Sequence, residues 1–225
     1  MHYITHGYAL GIHKMRRDVG RLTFGYFAYS DKIGMTILVG GDGDSELTPI
    51  TVWDCHKMTL VQFAEEVEAR TKRVNEKKDV SYKQRTAAAN FLPPYLYKYF
   101  AYFIQYVNVH LGFPIPGIAQ KDQIGHYCIL DVGALGFQKC FRTFYANAHT
   151  FGFTCVGAVR KVPLVIDGEI KIQSLVSFTN TGDHRFGDAA IFMPMLKVLQ
   201  GYLGDPKGFD LTTVKEAVHW KERLA

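Results

Sequence analysis

Gly182-Asp183-His184-Arg185-Phe186-Gly187-Asp188-Ala189-Ala190 is the stretch on which the reading of this chain turns. A histidine held between two aspartates and next to an arginine is equipped to take a proton as a general base, which makes His184 the first candidate. The stretch closes a strand-like run and opens a helix-like one, and reactive groups are commonly placed on such rigid element ends. Asp183 and Arg185 are expected to fix the loop by charge-assisted hydrogen bonds. The competing reading is a histidine satisfied in a strand-to-helix turn, with no chemistry of its own.

Working outward, Ala189 to Tyr202 reads as an amphipathic helix that ends at Gly204-Asp205-Pro206. Thr213 to Leu224 reads as a short appended helix, with Thr213 and Glu216 at capping-box spacing. On the other side, Leu164 to Ile166 and Glu169 to Phe178 read as strands joined by Asp167-Gly168, a two-residue hairpin signal. Phe151 to Val159 and His126 to Val132 are further strands. Pro93 to Leu111 opens with Pro-Pro, closes at Gly112 and is crowded with tyrosine and phenylalanine. It is marginal in length for a membrane span and carries Lys98, Gln105, Asn108 and His110, so a helix packed in protein or lying on a surface is expected.

Thr59 to Val74 is the clearest helix, with Leu60, Phe63, Ala64, Val67 and Val74 on one face and Thr59 with Gln62 in a capping box. Residues 75–90 read as a polar loop or broken helix. Thr48 to Trp53, Ile33 to Val39 and Leu22 to Tyr29 read as strands. Gly40 to Asp44 reads as a turn, because it lacks both the phosphate-loop Lys-Ser/Thr and calcium-loop spacing. No element is assigned to residues 1–22. They lack a continuous apolar core, and Lys14, Arg16, Arg17 and Arg21 against Asp18 read as an ordinary basic N-terminus rather than a leader.

Three ordered blocks carry a family resemblance. Asp183-His184-Arg185-x-x-Asp188 resembles the signature of the acyltransferase (E2) catalytic core of 2-oxo acid dehydrogenase complexes, whose fold is shared with chloramphenicol acetyltransferase. Val156-Gly157 to Pro163 and on to Asp167-Gly168 is similar to that family's hairpin. Ile129-Leu130-Asp131-Val132-Gly133-Ala134-Leu135-Gly136 is similar to its strand-and-turn element. The resemblance runs from about Gly125 to Pro206 and is weaker upstream, where a full core carries a further strand, helix and strand. The aromatic segment 93–111 looks like the insertion of a lipoyl-less branch of bacterial E2-like acyltransferases.

The resemblance implies an α/β, chloramphenicol acetyltransferase-like mixed-sheet, two-layer sandwich. It implies residues 1–206 as a catalytic domain shortened at its N-terminal part, followed by a helical extension over 207–225. It implies a homotrimer, or assembly with an E2-like paralogue, with the site between subunits. By the same resemblance His184 takes a proton from a thiol of coenzyme A or dihydrolipoamide, and Asp188 is a structural ion-pair partner. Coenzyme A is then the acyl carrier, and no lipoyl domain or linker is seen in the sequence. Two positions depart from the pattern. Ala189 stands for the motif glycine, and Leu130 stands where active members place an oxyanion-stabilising Ser or Thr. Thr181, Asn180 and Ser177 are the neighbouring groups that could stand in. The alternative function is therefore a catalytically impaired scaffold or interaction subunit.

Composition agrees with one folded domain. The 225 residues are 48% hydrophobic and 21% charged, with a net charge of +5. The basic residues are interleaved with acids, so nucleic-acid binding is not expected, while a phosphorylated small molecule suits the mild positive charge. Cys55, Cys128, Cys140 and Cys155 form no CxxC pair and read as reduced core thiols rather than a metal site. A catalytic cysteine with His149 or His184 is the minority reading. Cytoplasm is the expected location, with the mitochondrial matrix as the alternative.

Overall fold

The computed structural model describes residues 1–15, 19–30, 32–40, 47–76, 93–113, 124–143 and 150–205. The expected helix 213–224, the loop 77–90, His149 and most of the Gly40–Asp44 turn lie outside these residues.

The described elements begin with helix α1 (His2–Lys14), a hairpin of β1 (Gly20–Thr23) and β2 (Tyr26–Tyr29), then β3 (Gly34–Gly40), β4 (Leu47–Trp53) and α2 (Leu60–Asn75). They continue with α3 (Pro94–Gln105), which runs on as one π turn over Tyr106–His110, then β5 (Tyr127–Asp131), β6 (Gly152–Val156), β7 (Arg160–Ile166), β8 (Glu169–Leu175), β9 (Phe178–Gly182) and α4 (Ala189–Gly204).

The central sheet has five strands in the order β4-β3-β5-β6-β9. Strands β3, β5 and β6 are parallel, and β4 and β9 run antiparallel at the two edges. The register carries straight across the sheet: Met35 pairs with Tyr127, Tyr127 with Gly152, and Gly152 with Gly182. Alternation then sorts the side chains. Met35, Ile37, Tyr127, Ile129 and Val156 face a core shared with the helices, together with Tyr8, Ile12, Phe63, Val67, Met195 and Leu199. Each large side chain fully buried there contributes about 1.5–3 kcal/mol. Helix α1 packs on both α2 and α4, so these three helices form one layer against the sheet. The opposite face is crossed by the segment after β5, where the Arg142 guanidinium lies 4.7 Å from the Phe153 ring centre and Thr179 Oγ1 donates to the Cys140 carbonyl.

The expected mixed-sheet, two-layer sandwich is therefore present. The largest correction is at the N-terminus. Residues 2–14, given no element and read as an ordinary basic N-terminus, are a core helix with Thr5 to Ile12 buried. Its polar groups are paired inward: His6 Nε2–H donates to the Met58 carbonyl, and His6 Nδ1 accepts from the Tyr202 hydroxyl, both at 3.0 Å.

Two strand expectations are also revised. Leu22 to Tyr29 is a hairpin rather than one strand, turning at Phe24 and Gly25 with φ of 52° and 81°. Glu169 to Phe178 divides after Leu175, because β8 pairs only with β7 whereas β9 joins the central sheet. The Asp167-Gly168 hairpin and the Thr59–Gln62 capping box form as expected. Among the described residues no helix is long and apolar enough to cross a membrane.

Candidate functional site

The loop between β9 and α4 is tied at its start to the centre of the sheet. Asp183 N–H donates to the Phe151 carbonyl at 2.9 Å, extending the β6–β9 ladder by one bond. The Asp183 carboxylate is buried and takes the Arg185 guanidinium in a fork, with Nε at 3.0 Å from Oδ1 and Nη2 at 2.5 Å from Oδ2. The Arg185 backbone N–H adds a bond of 3.0 Å to Oδ1. Bidentate pairing of this kind sets both position and plane. It also raises the Arg185 pKa, chiefly through the hydrogen bond to Asp183. The loop is thus fixed as the residue types imply.

With Asp183 and Arg185 directed at each other, His184 between them is turned outward. The chain then closes through Phe186 N–H to the Asp183 carbonyl and Gly187 N–H to the His184 carbonyl. Gly187 has φ of +147°, and a side chain there would strike Ile191, so glycine is required. Phe186 anchors the turn against Phe151, ring centres 6.1 Å apart.

Asp188 occupies the N-cap position of α4 but makes no side-chain cap. Its Oδ1 instead lies 3.0 Å from His184 Nε2. An Nε2–H donated to this carboxylate leaves the lone pair on Nδ1, free to accept a proton from a group brought beside it. Both side chains are open to solvent, 85% and 75% exposed. Ala189 begins the helix with an ordinary negative φ, so the residue replacing the motif glycine causes no backbone strain.

Beside His184 is a cavity of about 300 Å³ between β9 and the first turns of α4. Its walls include Tyr127, Asn180, Phe192, Met193 and Leu196, and Thr181 also borders it. Of the three groups considered as oxyanion substitutes, Asn180 and Thr181 therefore reach the cavity. Ser177 lies beyond the far end of β9, where its carbonyl accepts from Gly157 N–H.

Leu130 is not part of this cavity. It pairs with Leu38 and Cys155, three residues along β5 from the Tyr127–Gly152–Gly182 line, or about 10 Å away. It also points to the face opposite the helices. One chain therefore does not bring Leu130 and His184 together. The cysteines are not brought to His184 either: Cys55 and Cys128 are buried with thiol pKa values pushed up to about 12 by burial. No group of three or more His, Cys, Asp or Glu side chains placed to hold a metal occurs among the described residues.

Sequence reading did not reach Tyr8, Thr154 and Tyr127, the hydroxyls behind Asn180. Tyr127 OH is 2.8 Å from Thr154 Oγ1, which donates to Asn180 Oδ1 at 2.7 Å, and Tyr8 OH donates to the same Oδ1 at 2.5 Å. Burial raises the pKa of both tyrosines. The three hydroxyls come from α1, β5 and β6, and no local pattern links them.

Residues 120–210 match the model of the 2-oxoacid dehydrogenases acyltransferase (catalytic domain) family. No curated protein matches the chain. Among solved structures, a probable dihydrolipoamide acetyltransferase from Listeria monocytogenes superposes with a TM-score of 0.63 at 14% identity, covering 89% of this chain and 68% of its own. The dihydrolipoamide acetyltransferase of Azotobacter vinelandii superposes with a TM-score of 0.62 at 13% identity, covering 92% and 68%. In that protein the roles in catalysis of a serine, a histidine and an asparagine four residues after the histidine have been investigated. The cubic core of the pyruvate dehydrogenase multienzyme complex gives 0.62 at 14% identity, with the same coverage. Identities this low speak to fold. The family match covers residues 120–210, less than half of the chain, and that part includes the segment that holds His184.

Proposed function

We propose that the protein transfers an acyl group between coenzyme A and a thiol acceptor, with His184 as the general base. The observation that carries this reading is the 3.0 Å contact of His184 Nε2 with Asp188 Oδ1 beside the cavity. The four-residue spacing of His184 and Asp188 equals that of the histidine and asparagine of the Azotobacter enzyme, which supports it.

In the proposed step the acceptor thiol gives its proton to His184 Nδ1 while its sulfur attacks the thioester carbonyl carbon. The carbonyl π pair moves to oxygen. The tetrahedral species then collapses, the bond to the coenzyme A sulfur breaks, and the proton on Nδ1 goes to that sulfur. An imidazole near a reference pKa of ~6.5 is suited to take a proton from a thiol near ~8.5 at neutral pH. Asp188 keeps the Nε2–H side of the ring occupied, and the Asp183–Arg185 fork keeps the loop in place.

The exposure of His184 in a single chain supports a site completed by a second copy or an E2-like paralogue, as the cubic core of the pyruvate dehydrogenase complex is a multi-chain assembly. A second reading, a scaffold subunit without activity, is favoured by Leu130 at the oxyanion position. Calorimetric titration of coenzyme A into the protein and into His184→Ala tests the proposal, with turnover of acyl-coenzyme A measured in parallel. Saturable binding by both and turnover by the first alone is expected. A correctly assembled protein that neither binds nor turns over coenzyme A thioesters overturns the reading in favour of the scaffold.

A further inference from the structure

We propose that Asn180 is the hydrogen-bond donor for the carbonyl oxygen of the acyl group in the cavity beside His184, and for the oxyanion formed from it. The proposal rests on the acyl-transfer reading above and assigns a group that the Leu130 position does not supply.

Asn180 stands in β9 opposite Thr154, four residues before His184. Its Oδ1 accepts from Tyr8 OH at 2.5 Å and Thr154 Oγ1 at 2.7 Å, with Tyr127 OH a further 3.4 Å away. The shorter bond of Tyr127 OH is to Thr154 Oγ1, at 2.8 Å. The protons therefore run from Tyr127 to Thr154 to Asn180, and from Tyr8 to Asn180.

The buried Tyr8 proton decides which end of the amide faces it. Tyr8 is fully buried, and Asn180 Oδ1 is the acceptor for its proton. With the amide reversed, the Tyr8 hydroxyl could only accept from the N–H₂, and its own proton would have no acceptor among the described residues. Nδ2 is consequently the outward end. Asn180 is exposed and lines the cavity, and among the described residues its Nδ2 donates to no protein group.

Tyr8, Tyr127 and Thr154 are each 1% exposed or less, so three buried hydroxyls are committed to holding one amide. Burying polar groups is costly unless each is paired, and a fully satisfied network is rigid. Here the rigidity aims one neutral N–H₂ group into a space whose other walls are largely apolar. A preorganised donor aimed at the point where charge develops is the arrangement that stabilises a carbonyl oxygen as it becomes an oxyanion. In the step written above, the π pair that moves to oxygen on attack is the charge that Nδ2–H meets, and it returns to the carbonyl on collapse.

Asn180→Asp tests this directly, because it retains an oxygen for the Tyr8 and Thr154 hydroxyls and removes the N–H₂. With acetyl-coenzyme A and longer acyl-coenzyme A thioesters as donors and dihydrolipoamide as acceptor, kcat is expected to fall by about 10²–10³. KM for the thioester and the binding of coenzyme A are expected to stay near wild type, and so is the thermal melt. Tyr8→Phe, which leaves Nδ2 in place but loosens its aim, is expected to lower kcat by less and leave KM alone. It carries the test if Asn180→Asp does not fold. Unchanged kcat in the folded variants, or a loss confined to KM, overturns the assignment while leaving His184 untouched. A wild-type protein that transfers no acyl group from any of these donors overturns both proposals.

Discussion

Gly11 of α1 and Met195 of α4 meet at backbone distance: a Cβ on Gly11 would lie 2.6 Å from the Met195 carbonyl oxygen. One turn earlier, a Cβ on Gly7 would lie 2.7 Å from a ring carbon of Tyr202. The two glycines let α1 sink onto α4, and the residue between them, Tyr8, thereby reaches Asn180. Gly11→Val is expected to force the helices apart and cost about 1–3 kcal/mol. A lowered melting temperature measures this, and an unshifted melt would contradict the close crossing.

The start of α2 offers a smaller and cleaner case. Thr59 Oγ1 accepts from Gln62 N–H at 3.2 Å, and Gln62 Oε1 accepts from Thr59 N–H at 3.0 Å. Both bonds are exposed, so their loss opens no cavity. Thr59→Ala is expected to lower stability by about 1 kcal/mol, and Thr59→Ser to restore most of it. Urea unfolding of the two variants against wild type provides the measurement.

Helix α2 was legible because every signal lies within it: cap, apolar face and basic end. The same holds for the Asp167-Gly168 hairpin and for the His184 loop, where Asp183, Arg185, Gly187 and Asp188 are local neighbours. Helix α1 was not legible, because it is buried nearly all round and has no polar face to set a period. Its buried His6 and Thr5 look like surface residues until Tyr202 and Met58 are in place, and Gly7 and Gly11 count against a helix when read singly. The hydroxyls behind Asn180 failed for another reason. They come from positions 8, 127 and 154, which only the register Thr154↔Asn180 and the crossing of α1 on α4 bring to one atom. Leu130 was legible as a departure, but its distance from His184 follows from strand order and not from spacing.

The buried thiols predict how stability depends on alkaline pH. Burial pushes Cys55 and Cys128 up to about 12 from an ordinary value of 9.0. Unfolded thiols therefore ionise first, and between pH 9.0 and about 12 the unfolded state binds fewer protons than the folded one. Stability is then fully present below the unfolded value and falls as pH rises through this window. Tyr8 and Tyr127, also raised by burial, add to the loss above 10.0. The urea midpoint is expected to drop as pH rises from 9.0 toward about 12, and Cys55→Ala with Cys128→Ala to flatten the drop. A midpoint equally steep in the double variant would assign the effect elsewhere.

His184 and Asp188 can be separated by what each substitution leaves behind. His184→Ala removes the proposed proton acceptor, and because its side chain is 85% exposed the fold is not at risk. Turnover is expected to fall by about 10²–10⁴, with an unchanged melt. Asp188→Asn keeps an oxygen that accepts from Nε2–H, so the ring stays oriented with its lone pair on Nδ1. Most of the activity should therefore survive. Asp188→Leu has no acceptor, releases the ring and is expected to lose much more. The ranking Asp188→Asn above Asp188→Leu in kcat, at equal stability, is what an orienting hydrogen bond requires. If the charge itself mattered, the two variants would lose activity alike, and Asp188 would act on the electrostatics of the step rather than on the position of the ring.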